Sequence, residues 1–151
     1  MSLSELCERS SVVAEARKWI GTPYHHQGDV LGAGVDCGML LVRVFVDTAL
    51  CEPFDPRPYV TDWMLHRSEE RYLGFIFDRT KEVKSPQPGD VVVYRFGRCY
   101  SHGGIVTAAN PLIVIHALKA AKRVIEEEVM SSIALSNPCR APRFFSYWAR
   151  V

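Results

Sequence analysis

Apolar residues follow helical spacing in the first half of the chain and fall into short, strand-like runs in the second. After Ser10 and Ser11, which can cap a helix, Val12, Val13, Ala16, Trp19 and Ile20 share one face, and Gly21 and Pro23 end the run. Gly21 to Val35 contains four glycines and little that would pack, which predicts a loop. From Cys37 the stretch CGMLLVRVFVDTAL is apolar nearly all round, the pattern of a helix buried in a domain centre. CEPFDPRPY, with three prolines, predicts a surface connection, and TDWMLHRSEERYLGFI predicts an amphipathic helix capped by Thr61 or Asp62. Beyond PQPGD, the runs VVVYRF, HGGIVTAA, LIVIHAL and VIEEEV are short, β-branched and separated by turn residues, so consecutive antiparallel strands are expected. RFFSYW predicts a last strand packed by aromatics. Helices followed by a meander give an α+β fold class, with N-terminal helices packed on an antiparallel β-sheet in a single domain spanning 1–151.

Composition narrows the partners. Eighteen basic and 17 acidic side chains give a net charge of +1, with no basic stripe, so nucleic acid is not an expected partner. The longest apolar run is too short for a membrane span and is interrupted by Arg43. Five widely spaced cysteines, an odd number, argue against a disulfide framework and for a reducing compartment. MSLSELCERSSVV is acidic and lacks the apolar core of a signal peptide, so synthesis in the cytoplasm without a cleaved leader is expected.

The candidate chemistry centres on Cys37. At the start of a buried helix its sulfur would lie near the N–H groups of the first turn, where the helix dipole favours negative charge and lowers a thiol pKa from about 8.5. The glycine-rich approach GDVLGAG leaves room for a substrate, and backbone N–H groups around Gly38 can serve as an oxyanion hole. His102 and His116 lie fourteen residues apart on two expected neighbouring strands, a separation that a tight turn can bring together. His102 would then take the thiol proton, and His116 would orient the imidazole. An isolated cysteine on an apolar helix is usually core. The Asp-Cys-Gly entry, the glycine approach and the two histidines tip the balance to a nucleophile.

Cys7, Cys51, Cys99 and Cys139 have no such setting and read as structural. A zinc site from Cys99, His102, His116 and Cys37 lacks the tight paired spacing of zinc motifs, so no metal is expected. GAGVDCG misplaces the third glycine of a dinucleotide fingerprint and follows no strand, so no cofactor is expected. His25, His26 and His66 fall on a loop and a helix surface, where solvation is the default and a place in the cleft for His25 and His26 the alternative.

Taken together, Gly-Thr-Pro-Tyr, Asp-Cys-x-x-Leu, Pro-Gly-Asp before a strand, His-x-Gly-Ile and Ile-His-Ala occur in the order that resembles the NlpC-type cysteine peptidases. The resemblance runs from about Trp19 to Lys119. It implies a papain-like fold and hydrolysis of peptidoglycan stem peptides, commonly between D-glutamate and diaminopimelate or lysine. It carries over Cys37 as nucleophile, His102 as base and His116 as orienting residue. Tyr24 matches the tyrosine facing the nucleophile, and Asp36 the acidic position that recognises an amine. Gly38 stands where the family has serine, which leads to the expectation of an open cleft at that end. GDVLGAG and WIGTPY are most similar to members encoded with bacteriophage or gene-transfer tail genes. That implies phage tail-tip proteins as partners and a virion-associated enzyme acting in the cell wall. Alternatives are a secreted antibacterial amidase of the same fold and a tail assembly protein without catalysis.

Overall fold

The structure is a computed structural model that describes residues 1–60 and 71–149. Helix α1 spans Leu3–Lys18, so it begins well before the expected cap at Ser10 and Ser11. Ser2 is the cap instead, its hydroxyl accepting the Glu5 N–H at 3.1 Å. Ser11 lies inside the helix and donates to the Cys7 carbonyl at 3.0 Å, a back-bond that lets serine sit there. Val12, Val13 and Ala16 face the core as their spacing predicts, together with Arg9, which donates to Asp90 at 2.8 Å.

Within the expected loop, β1 (Asp29–Val30) and β2 (Gly34–Val35) pair as a small hairpin. Helix α2 then runs Cys37–Asp47, and it starts where the sequence places it because Asp36 is its cap. Helix α3, Arg71–Phe77, overlaps the end of the expected helix; the start expected at Thr61 or Asp62 lies outside the described residues.

The sheet consists of β3 (Lys81–Val83), β4 (Val91–Phe96), β5 (Cys99–Ala108), β6 (Ile113–Leu118), β7 (Arg123–Glu128) and β8 (Arg143–Ser146). Strands β4 to β7 form the expected antiparallel meander, but β8 turns back and inserts between β3 and β4, giving the order β3-β8-β4-β5-β6-β7. β3 is too short to show an alternating signal. One face of the sheet, with Val91, Val93, Ile105 and Ile115, packs on Met39, Leu40, Val44 and Phe45 of α2. The other face joins Val92, Tyr94, Val106 and Val114 to Val129 and Leu135. Among the described residues no helix is long and apolar enough to cross a membrane.

Two details of the sheet position the site. Side chains alternate along β5, so Gly103 faces Leu41 of α2, whereas His102 and Gly104 face the other way, toward Tyr94 and His116. The paired register of β5 with β6 runs from Ala108↔Ile113 to Ile105↔Ile115, while β6 stays paired with β7 as far as Leu118↔Arg123. Gly104, next along β5, still lies close against Ile115 and His116 of β6, and Cys37 at the start of α2 meets β5 at Ser101.

Candidate active site

Cys37 lies at the first turn of α2, and its thiol donates to the Ser101 carbonyl at 3.6 Å. The Gly103 N–H acts on the same sulfur in the direction that favours a thiolate. Ser101 and Gly103 flank His102, so the sulfur meets β5 at the backbone of that histidine. His102 is buried, its ring packed beside Phe96 with centroids 4.7 Å apart. Its Nε2 lies 2.7 Å from Nδ1 of His116, which leaves Nδ1 of His102 as the nitrogen able to receive a proton.

His116 is fully buried, and its Nε2 lies 2.8 Å from Oε1 of Glu127 on β7. Ser132 donates to that same oxygen at 2.7 Å and accepts the Leu135 N–H at 3.1 Å. Sequence reasoning missed Glu127 and Ser132. Glu127 lies within EEE, which reads as a solvated strand end. The register Ile125↔His116 and Glu127↔Val114 nevertheless places it diagonally beside His116 on one face.

The electrostatics differ from expectation at the sulfur. Burial, and then the neighbouring Asp36 carboxylate, push the Cys37 thiol up to about 12, against backbone N–H groups of Gly103, Cys37 and Gly38 that act the other way. The dipole at a helix N-terminus acts with these N–H groups but is outweighed by desolvation and by a like charge next to the thiolate. Burial also holds His102 well below its ordinary value, with His116 and Arg140 adding to the effect. His116 is lowered by burial while Glu127 pulls upward. The resting pair is therefore a thiol beside a neutral imidazole.

Asp36 is buried, and its oxygens accept from Met39 N–H at 2.9 Å, Gln27 N–H at 2.7 Å and the Tyr59 hydroxyl at 2.6 Å. Its first role here is to cap α2 and anchor the loop before it. Tyr24 is half-buried and lines the same cavity as Cys37 and His102, which has a volume of about 1100 Å³. Gly38 does not leave the expected opening. A Cβ there would meet the Tyr59 hydroxyl at 3.4 Å and the Tyr72 ring at 3.7 Å, so two tyrosines wall this end. Tyr72 also donates to the Cys37 carbonyl at 3.3 Å, and burial raises its hydroxyl well above the ordinary value. Neither tyrosine carries a sequence signal, since both come from segments distant in the chain.

His26 lines the cavity and contacts the Tyr59 carbonyl at 3.0 Å; His25 is exposed, and His66 lies outside the described residues. Cys99 is buried, Cys7 and Cys139 are exposed and Cys51 is half-buried.

No family model and no curated protein matches this sequence. Solved structures do match its fold. The NlpC/p60 domain of the peptidoglycan hydrolase SagA superposes with a TM-score of 0.59 and 21% identity, covering 91% of this chain and 96% of that one. An N-acetylmuramoyl-L-alanine amidase from Bacteroides uniformis matches in two structures, with TM-scores of 0.62 and 0.57 and identities of 15% and 16%. Each covers 92% of this chain and 98% of its own. The chain thus has the papain-like α+β fold of NlpC/p60 domains, with helices packed on a six-stranded antiparallel sheet.

Proposed function

We propose that the protein is a cysteine hydrolase of peptidoglycan stem peptides, with Cys37 as nucleophile, His102 as general base and His116 as orienting residue. One observation carries the reading. The thiol at the head of α2 lies against the residues flanking a neutral histidine, whose far nitrogen is held by a second histidine. The fold is shared with a peptidoglycan hydrolase domain and an amidase, which favours a wall peptide over other amides.

In the proposed reaction the sulfur attacks the scissile amide carbon as Nδ1 of His102 takes the thiol proton. N–H groups at the start of α2 and from β5 receive the developing oxyanion. His102 then returns the proton to the departing amine, leaving a thioester. Water, deprotonated by the same nitrogen, releases the acid and restores the thiol. Burial and the Asp36 carboxylate favour the protonated thiol, so the proposed attack relies on His102 to take the proton.

Within this reading the scissile bond is that between D-glutamate and diaminopimelate or lysine, and the enzyme acts from a phage or prophage tail on the cell wall. The likeness of GDVLGAG and WIGTPY to tail-encoded members supports that placement. Incubating purified sacculi with the protein and with Cys37→Ala, then identifying the new ends by mass spectrometry, tests both levels. Ends at D-glutamate support both the hydrolase and the bond. Ends at muramic acid keep the hydrolase and change the bond. No ends with either protein removes the hydrolase reading.

A further inference from the structure

We infer that Glu127, held by Ser132, is a positioning residue that fixes the tautomers of both histidines and so presents an unprotonated Nδ1 of His102 to the thiol. The inference rests on the assignment of Cys37, His102 and His116 as the reacting group.

Hydrogen-bond polarity carries the argument. A carboxylate oxygen only accepts, so the 2.8 Å contact to Glu127 requires the proton of His116 on Nε2. Ser132 has its own acceptor site engaged by Leu135 and also donates to this oxygen, which fixes the Glu127 side chain in place. A neutral His116 protonated on Nε2 has a bare Nδ1. The 2.7 Å contact then requires the proton of His102 on Nε2, leaving its Nδ1 bare. Burial keeps both rings neutral, so the polarity is not lost to a doubly protonated ring. Every donor in the row thus points away from the sulfur and toward Glu127.

The other polar groups on this face do not compete. Arg140 lies over Phe96 and donates to the carbonyls of Ala134 and Arg95. The Tyr94 hydroxyl is buried without a hydrogen-bond partner. Among the described residues neither bonds a ring nitrogen. Reversing the row would set a bare Nε2 of His116 against the carboxylate and place a proton on the nitrogen that must accept one. A base in the wrong tautomer costs about 10⁴-fold in turnover in the serine-protease precedent.

The test is nitrogen-15 NMR of the imidazoles in the full chain near neutral pH, with assignments from His102→Gln and His116→Gln. The expected spectrum shows both rings protonated on Nε2 alone. A proton on Nδ1 of either ring overturns the inference, whatever the activity. Glu127→Leu removes the acceptor, and the single-tautomer signature of His102 should give way to a mixture, with release from sacculi falling at least tenfold. Unchanged tautomers or unchanged release in a folded Glu127→Leu protein would equally overturn it. Should that variant not fold, the wild-type spectrum decides alone. Wild-type tautomers as stated, with no release from sacculi, would instead sink the hydrolase reading and leave the relay standing.

Discussion

The Tyr59 hydroxyl donates to Oδ2 of Asp36 at 2.6 Å, tying the proline-rich connection to the first turn of α2. Asp36 in turn caps the helix that carries Cys37, so the position of Cys37 depends on a segment that shares no secondary structure with it. Three donors converge on one buried carboxylate, and removing any of them leaves it less well paired.

Tyr59→Phe should lower stability by about 1–2 kcal/mol, the loss of one hydrogen bond to a charged acceptor. Asp36→Ala should cost more than the ~1 kcal/mol typical of an N-cap, because the Gln27 N–H and the Tyr59 hydroxyl are orphaned as well. Thermal melts of the two variants check this. An Asp36→Ala protein as stable as Tyr59→Phe would show that the convergence carries no weight.

On the proposed mechanism, turnover should depend steeply on Cys37, His102 and His116 while folding does not. Cys37→Ser and His102→Ala should each lose about 10²-fold to 10⁴-fold or more of the release from sacculi. His116→Ala should retain a measurable fraction, since its proposed role is to orient the base. Circular dichroism confirms the fold in each case. Full activity in Cys37→Ser would remove the nucleophile assignment.

The thiol raised to about 12 predicts slow alkylation at neutral pH. Iodoacetamide labelling of Cys37 should rise about tenfold per pH unit from mildly acidic to alkaline conditions, without a plateau. Exposed Cys7 and Cys139 should label faster than Cys37 near pH 7. Peptide mapping across a pH series reads this directly. A plateau below pH 8 would mean that Cys37 and His102 rest as an ion pair.

Stability should be greatest in a window bounded by the same groups. His102 and His116 have pKa values below their ordinary 6.5, so below that pH the unfolded chain binds more protons and stability falls with acid. Cys37 is raised above its ordinary 9.0, so above that pH the unfolded chain loses its proton first and stability falls again. Denaturant midpoints from pH 5 to 10 should peak between. His102→Gln and His116→Gln should flatten the acid side, and a slope unchanged in both variants would assign it to other groups.

Gly104→Ala should disturb the site without touching a reacting atom. The added Cβ would lie 2.8 Å from the Ile115 carbonyl oxygen and 3.2 Å from Cβ of His116, and a backbone neighbour cannot swing aside. β6 must shift, carrying His116 away from His102. Loss of most turnover with a modest drop in melting temperature is expected, and wild-type turnover would show that β6 tolerates the displacement.

The buried helix beginning at Cys37, the meander from Val91 to Glu128 and the contact between His102 and His116 were legible in the sequence. Each follows from short-range physics: an apolar run behind a capping aspartate, β-branched runs between turns, and a strand pair whose separation is set by its turn. The true start of α1 was not legible, because Ser2 and Ser10 are equally good caps by composition and only packing against the sheet shows how far the helix extends. The return of β8 beside β4 is a long-range pairing with no local signature. The acceptor behind His116 was hidden for the same reason, since a glutamate in EEE reads as solvated until the register puts it beside a buried ring. The thiol's resting state was decided by tertiary structure too. Sequence places the sulfur at a helix N-terminus beside Asp36, but its burial, with the Ser101 carbonyl of β5 from more than sixty residues away against it, is set by the tertiary structure.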